Sequence, residues 1–342
     1  MLLQKFYMQK CLELAKQGLS YVSPNPMVGC VIVYNNKIIG KGLHEKYGES
    51  HAEANAIASV KNKNLLKKST LYVNLEPCCH YGKNPPCTNL IIKHKIPKVV
   101  IGCIDSFSKV SGKGIEEMQN AGIKVKLGVL ENESKFLNKR FFTFHEKKRP
   151  YIILKWAKSK DGFIAPNNQK EPFWMTSLES KKLTHIWRAE EDAILIGRIT
   201  AQKDDPSLTV REINGQNPIR IVIDRNLKLS SNLKLFNNES NTIIFNAIKS
   251  KQNLHKKYIK IKFTELIKSI IDKLFKLNIQ SLIVEGGSKT LQSFINEDLW
   301  DEARIFTTKK NLNNGVKTPV INAKLEDKKL IGNDQLEILI ND

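Results

Sequence analysis

Apolar and polar positions change their period repeatedly along the chain, and each period indicates an element. MLLQKFYMQKCLELAKQG spaces its apolar residues for one face and is broken by charge, which predicts an amphipathic helix. VGCVIVYNNKIIGKGLH is an apolar run, a turn at Asn35-Asn36 and a second run, which predicts a hairpin. SHAEANAIASV predicts a helix capped by Ser50. STLYVNLEPC predicts a buried strand that ends in a loop. After it, CTNLIIKHKI, KVVIGCID, GIEEMQNAGI and KVKLGVL read as helix, strand, helix and strand.

The pattern resets at HEKKRPY: charge, then Pro150, then the fresh apolar run YIILKWA. Two domains are therefore expected, residues 1–147 and 148–342. In the second, DAILIG, IRIVID, NTIIFN and SLIVEGG read as strands. SLESKKLTHIWRAEE, FTELIKSIIDKLFKLN and SKTLQSFINEDL read as helices. Strand and helix alternate in both halves, with no clear repeat between them, so the fold class is layered α/β.

Charge adds a question. The chain carries 55 Lys+Arg against 34 Asp+Glu, a net charge of +21. Such an excess can mark a nucleic-acid partner. Here the lysines are scattered among Asn and Ile, as in KNKNLLKKST, with no Arg-rich block and no basic stretch interleaved with aromatics. The charge reads as solvated surface, and no nucleic acid is expected. No run reaches the roughly 18–20 apolar residues of a bilayer span, and the first segment does not read as a signal peptide. A cytoplasmic protein without membrane attachment is expected. Six cysteines then argue for thiolates and not for a disulfide framework. Cys11, Cys30 and Cys103 lie in apolar runs and read as small buried side chains, while Cys78, Cys79 and Cys87 cluster.

That cluster carries chemistry. His51 and Glu53 form H-x-E at a predicted helix start; a strand follows, then Pro77-Cys78, then Cys87. A lone H-x-E is common, but the whole order is specific. One imidazole and two thiolates leave a fourth tetrahedral position open, the catalytic form of a zinc site. Zinc, one per chain, would acidify a water there. Glu53 would move that water's proton to a leaving amine. Helix N-termini at His51 and Cys78 would favour the thiolate. Cys79 follows a ligand directly and reads as a packing residue.

The His-x-Glu, Pro-Cys, Cys order resembles the cytidine deaminase superfamily. The long insert CHYGKNPP between Cys78 and Cys87, with SPNPMVGCVIV and GLHEKYGESHAE, resembles the deaminase half of the bifunctional riboflavin-biosynthesis deaminase–reductases. The resemblance implies a three-layer cytidine-deaminase-like domain. By matching position, Asn25, His44, His80 and Lys83 would contact an aminopyrimidine ribose phosphate.

The second half has no G-x-G-x-x-G after a strand, and IVEGG alone would read as a tight turn. Together LKWAKSKDG, WMTS, RAEEDAILIGRITAQKDDPSLTVR and IVEGG resemble the reductase half of the same family. That implies a dihydrofolate-reductase-like domain using NADPH. Ala157, Trp174, Thr200, Asp204 and the run Gly287, Ser288, Lys289, Thr290, Leu291, Gln292 and Ser293 would contact NADPH. Arg188, Leu208, Arg211 and Glu285 would contact substrate, the arginines by its phosphate. The implied reaction reduces a ribosyl group to a ribityl chain in a homo-oligomer. Pro172, Phe173 and Arg225 depart from the family pattern, and the tail after Arg304 is unusually polar. Two other classes stand beside this reading: a nucleic-acid base deaminase with a basic domain, disfavoured by the Cys78–Cys87 spacing, and a zinc-stabilised scaffold, which would have no need of Glu53.

Overall fold

The computed structural model describes residues 2–82, 84–108, 110–167 and 173–341. Lys83 and Pro172 lie outside the described residues. The chain divides into two compact units, residues 1–148 and 149–342.

The first unit comprises α1 (Leu2–Ala15), β1 (Gly29–Tyr34), β2 (Lys37–Leu43), α2 (Ala52–Ser59), β3 (Thr70–Leu75), α3 (Cys87–Lys93), β4 (Lys98–Cys103), α4 (Lys113–Asn120), β5 (Lys124–Lys126), α5 (Glu131–Leu137) and α6 (Lys139–Lys147). Its sheet runs β2-β1-β3-β4-β5. β1 is antiparallel to β2 and β3, while β3, β4 and β5 are parallel. Asn35 and Asn36 make the β1–β2 turn with φ of 45° and 59°, the left-handed values that asparagine tolerates. Both faces of the sheet are covered, which explains the continuous apolar runs. Cys30 and Ile32 face α2, α3 and α4, while Val31 and Val33 face α1. The predicted first helix thus buries Tyr7, Met8, Cys11, Leu12 and Ala15 on one side. The Ser50 cap is corrected: α2 is entered through His51, with no side-chain cap, and the Ser50 carbonyl instead takes His44 Nδ1. The second correction concerns Cys78, which lies in a loop; Cys87 occupies the first position of a helix.

The second unit comprises β6 (Tyr151–Lys158), β7 (Phe163–Ala165), α7 (Leu178–Glu190), β8 (Ala193–Gly197), α8 (Arg198–Asp204), β9 (Ile219–Ile223), β10 (Thr242–Asn246), β11 (Lys251–Gln252), β12 (Lys256–Lys260), α9 (Leu266–Lys276), β13 (Ser281–Val284), α10 (Ser288–Asn296), β14 (Glu302–Thr307), β15 (Val316–Lys317), β16 (Lys324–Ile331) and β17 (Asp334–Ile340). Its main sheet runs β11-β12-β10-β9-β8-β13-β6-β14-β17-β16. From β12 to β14 the neighbours are parallel, and β17 and β16 add an antiparallel hairpin. α9 and α10 cover one face and α7 and α8 the other. The C-terminal ends of β6, β8 and β13 therefore open side by side, the usual place for a ligand in such sheets. Among the described residues no helix is long and apolar enough to cross a membrane.

Candidate active sites

In the first unit, α2 and α3 bring His51, Cys78 and Cys87 together. Their ligand atoms all lie within 4.8 Å of one another. Cys78 Sγ and Cys87 Sγ are each 3.4 Å from His51 Nδ1. With Zn–N near 2.0 Å and Zn–S near 2.3 Å, a tetrahedral ion separates such atoms by about 3.5 Å, so the donor set fits zinc. The Cys87 N–H points at Cys78 Sγ from 3.5 Å. Hydrogen bonds from Cys87 and His51 hold the Cys78 thiol well below the usual thiol range, while Cys87, facing that thiolate from a buried position, is pushed up. Cys79 stays outside the cluster and is only half-buried.

Glu53 sits in the first turn of α2, 3% exposed. Burial and then the Cys78 thiolate push its carboxyl up to about 7. A carboxyl near neutral pH is suited both to accept and to return a proton.

The remaining predicted contacts differ in what they offer. Both ring nitrogens of His44 are engaged, Nε2 with the Asn25 amide at 3.0 Å and Nδ1 with the Ser50 carbonyl at 3.1 Å. His44 therefore orients Asn25 and offers no spare donor. His80 has a buried Nδ1 without a partner and meets the edge of Phe107 at 5.7 Å. Sequence reasoning missed Asn74 and Asn138, whose amides both hold the Met27 backbone and so fix the Asn25 loop.

In the second unit, a cavity of about 500 Å³ opens at the ends of β6, β8 and β13. Ala157, Trp174, Thr200, Asp204, Gly287, Ser288, Lys289, Thr290 and Glu285 line it. Leu291 is buried in the core, Gln292 accepts the Val320 N–H, and the Ser293 hydroxyl turns back to the Lys289 carbonyl; none of the three lines the cavity. The Gly287 N–H is already given to Thr200 Oγ1 at 2.9 Å. A Cβ on Gly197 would stand 2.6 Å from Thr290 Oγ1, so β8 and α10 approach closely only with glycine there. Phe173 lines the cavity, while Arg225 is exposed outside it with its guanidinium 5.4 Å from the Phe263 ring.

The residues expected to contact substrate have different surroundings. Arg188 donates to both Glu285 carboxylate oxygens, at 2.7 and 3.3 Å, and its charge is thereby matched inside the protein. Arg211 is exposed and turned to Thr209 Oγ1, and the Leu208 side chain is buried; neither lines the cavity. The cations that do line it are Lys155, Lys203 and Lys289. Lys155 was missed, although a lysine inside the apolar run YIILKWA was its signal.

Burial alone would raise the Glu285 carboxyl, but Arg188 and Lys155 more than reverse this and hold it at about 2. Its folded value lies below the ordinary 4.5, so the group stabilises the fold above that pH and loses the contribution as pH falls toward 2. The difference corresponds to about 3 kcal/mol. Glu285→Gln is expected to unfold more readily at pH 6 and to show a flatter loss of stability between pH 5 and 2, measured by urea denaturation. Equal wild-type and variant slopes would remove the ion pair from the account.

Known proteins match both units. Residues 1–103 match the cytidine and deoxycytidylate deaminase zinc-binding region, and residues 150–318 match the RibD C-terminal domain. The riboflavin biosynthesis protein RibD of Aquifex aeolicus is 42% identical over 322 residues, 92% of this chain and 89% of that one. The Actinobacillus pleuropneumoniae protein of the same name is 34% identical, over 96% of this chain and 93% of its own length. The Thermotoga maritima diaminohydroxyphosphoribosylaminopyrimidine deaminase/5-amino-6-(5-phosphoribosylamino)uracil reductase superposes with a TM-score of 0.90 at 35% identity, covering 99% of both chains. Acinetobacter baumannii RibD superposes with a TM-score of 0.92 at 30% identity, again over 99% of both. With both units matched in order and over nearly their full length, the chain belongs to the RibD family of riboflavin biosynthesis proteins.

Proposed function

We propose that this chain performs two consecutive steps of riboflavin synthesis on one small molecule. The unit of residues 1–148 deaminates 2,5-diamino-6-ribosylamino-4(3H)-pyrimidinone 5′-phosphate, and the unit of residues 149–342 reduces the product's ribosyl group. The observation that carries the reading is the His51, Cys78 and Cys87 cluster with a buried carboxyl, Glu53, beside it.

In the deaminase, His51, Cys78 and Cys87 would hold a zinc ion, which would supply a water acidified toward neutral pH. Glu53 takes a proton from the attacking water and delivers it to the departing amine. A C–O bond forms, the C–N bond breaks and ammonia leaves. Asn25 and His80 hold the pyrimidine ribose phosphate, with His44 orienting Asn25; Lys83 is assigned with them from the resemblance.

In the reductase, NADPH held at the cavity by Thr200, Asp204 and the start of α10 would supply the hydride that the ribose C1′ must gain. The C1′–O4′ bond breaks, and O4′ must gain a proton to become the hydroxyl of the ribityl chain. Lys155 Nζ is the assigned source of that proton, because it lines the cavity beside Glu285. Ala157, Trp174, Thr200, Asp204 and the start of α10 hold the cofactor, with Lys203 and Lys289 as its phosphate cations. Arg188 fixes Glu285. A homo-oligomer in the cytoplasm completes the reading and rests on the resemblance.

Metal analysis of the purified chain is expected to find one zinc, and Cys87→Ala to lose it while Cys79→Ala keeps it. Full zinc in Cys87→Ala would break the ligand assignment. Incubation with the diaminopyrimidinone substrate, with and without NADPH, should give the ribityl product and the deaminated ribosyl intermediate respectively by mass spectrometry. The absence of any deaminated product would overturn the function itself.

A further inference from the structure

The residue before the Pro77-Cys78 turn is Glu76, 3% exposed, and its carboxylate is filled entirely by backbone. Oε1 accepts the N–H groups of Gly114 and Ile115 at 3.0 and 3.3 Å. Oε2 accepts those of Gly112 and Asp105 at 2.9 and 3.3 Å. Four charge-assisted bonds to one carboxylate are costly to replace, because each donor would be left unpaired in the interior.

Three of those donors belong to Gly112 and the first turn of α4, whose own N-cap, Gly112, has no side chain to offer. Glu76 therefore caps a helix from the far side of a strand crossover. The contact is close: a Cβ on Gly114 would stand 2.4 Å from the Pro77 carbonyl. α4 also reaches the second cysteine. Glu117, on the same helix, accepts the Thr88 hydroxyl at 2.5 Å, and Thr88 follows Cys87 directly. The Thr88 N–H closes the loop by donating to the Cys78 carbonyl at 3.2 Å. One short helix thus references the backbone on either side of the thiolate pair.

We propose that Glu76 is a positioning residue of the metal site: by clamping the Cys78 turn to the start of α4, it fixes the separation of the two cysteines and so sets zinc affinity. The inference rests on the deaminase reading. A residue that only supports the fold would alter melting and expression without a separate effect on metal affinity. Outer partners of metal ligands are worth roughly 10–100-fold in affinity.

Glu76→Gln keeps the shape but offers one acceptor oxygen, so it must leave part of the cage unmatched. Zinc competition against a chromogenic chelator, well below the melting temperature, is expected to show affinity weakened about 10–100-fold. NADPH-dependent reduction of the supplied deaminated intermediate should stay at the wild-type rate because the second unit has its own core, and folding of the first unit is checked separately by the melting curve of the metal-free variant. Gly114→Ala is the second variant, because its methyl would press on the Pro77 carbonyl and on Glu76 Oε1, disturbing the same clamp from the α4 side while the carboxylate keeps its charge; it should weaken zinc in the same range. Thr88→Ser, which retains the hydroxyl, should bind zinc as wild type does. Wild-type affinity in both Glu76→Gln and Gly114→Ala would overturn the proposal. So would zinc loss that merely tracks the unfolded fraction. A wild-type chain that binds no zinc would instead overturn the deaminase reading.

Discussion

Glu53→Gln is expected to keep its zinc and lose deamination by roughly 10²–10⁴, the usual contribution of a positioned proton-transfer group. The substitution is nearly isosteric. Because burial already pushes the Glu53 carboxyl up to about 7, replacing it by a neutral amide removes little charge stabilisation from the folded state. The three metal donors are untouched, so metal analysis should still return one zinc per chain. What disappears is the ability to accept a proton from water and return it to the amine. The unit of residues 149–342 has its own core, so reduction of the deaminated intermediate should proceed at the wild-type rate. Deamination within tenfold of wild type would move the proton transfer to another group, and loss of zinc would recast Glu53 as a metal-site residue.

The deaminase site was legible because its parts lie close in sequence and are chemically distinctive. His51 and Glu53 are two apart, and Cys78 and Cys87 flank one insert. The sheet strands were legible for a related reason: strands covered on both faces, such as Gly29–Tyr34 and Ser281–Val284, are uninterrupted apolar runs. The reductase tail was not. Lys324–Ile331 is exposed along nearly its whole length, so neither face leaves an apolar stripe for period-2 reading, yet it pairs with Asp334–Ile340 through seven register positions. The helices Glu131–Leu137 and Lys139–Lys147 were hidden by charge, and only packing reveals that Phe141, Phe142 and Phe144 are buried.

Charge matching was the least legible layer. Arg188 and Glu285 lie 97 residues apart, and nothing in RAEEDAILIG or IVEGG states that they neutralise one another. Residue type suggested that arginines would meet phosphate. In the fold one arginine holds a carboxylate at the cavity wall, and lysines face the space. The same pairing explains why Lys155, hidden in a strand, is set beside a fixed anion.

Lys155→Met is expected to lower NADPH-dependent reduction by roughly 10²–10⁴ and to leave deamination and zinc content unchanged. Lys155 lines the cavity at the end of β6, with its Nζ 5.9 Å from the Phe306 ring centre. Burial depresses its pKa; Glu285 opposes the shift and Arg188 adds to it. A lysine whose ammonium is destabilised by burial is a better proton donor to the ribose O4′ than an ordinary surface ammonium. As the acid must be protonated to act, the wild-type rate should fall as pH rises through the depressed value, and Lys155→Met should lack that limb. Lys155→Arg separates the two roles the side chain could have. A guanidinium keeps the charge beside Glu285 but does not release a proton in this range. It should therefore restore saturation by substrate without restoring turnover. Full turnover in Lys155→Arg would reduce the residue to an electrostatic anchor, and a Lys155→Met rate within tenfold of wild type would place the proton source elsewhere in the cavity.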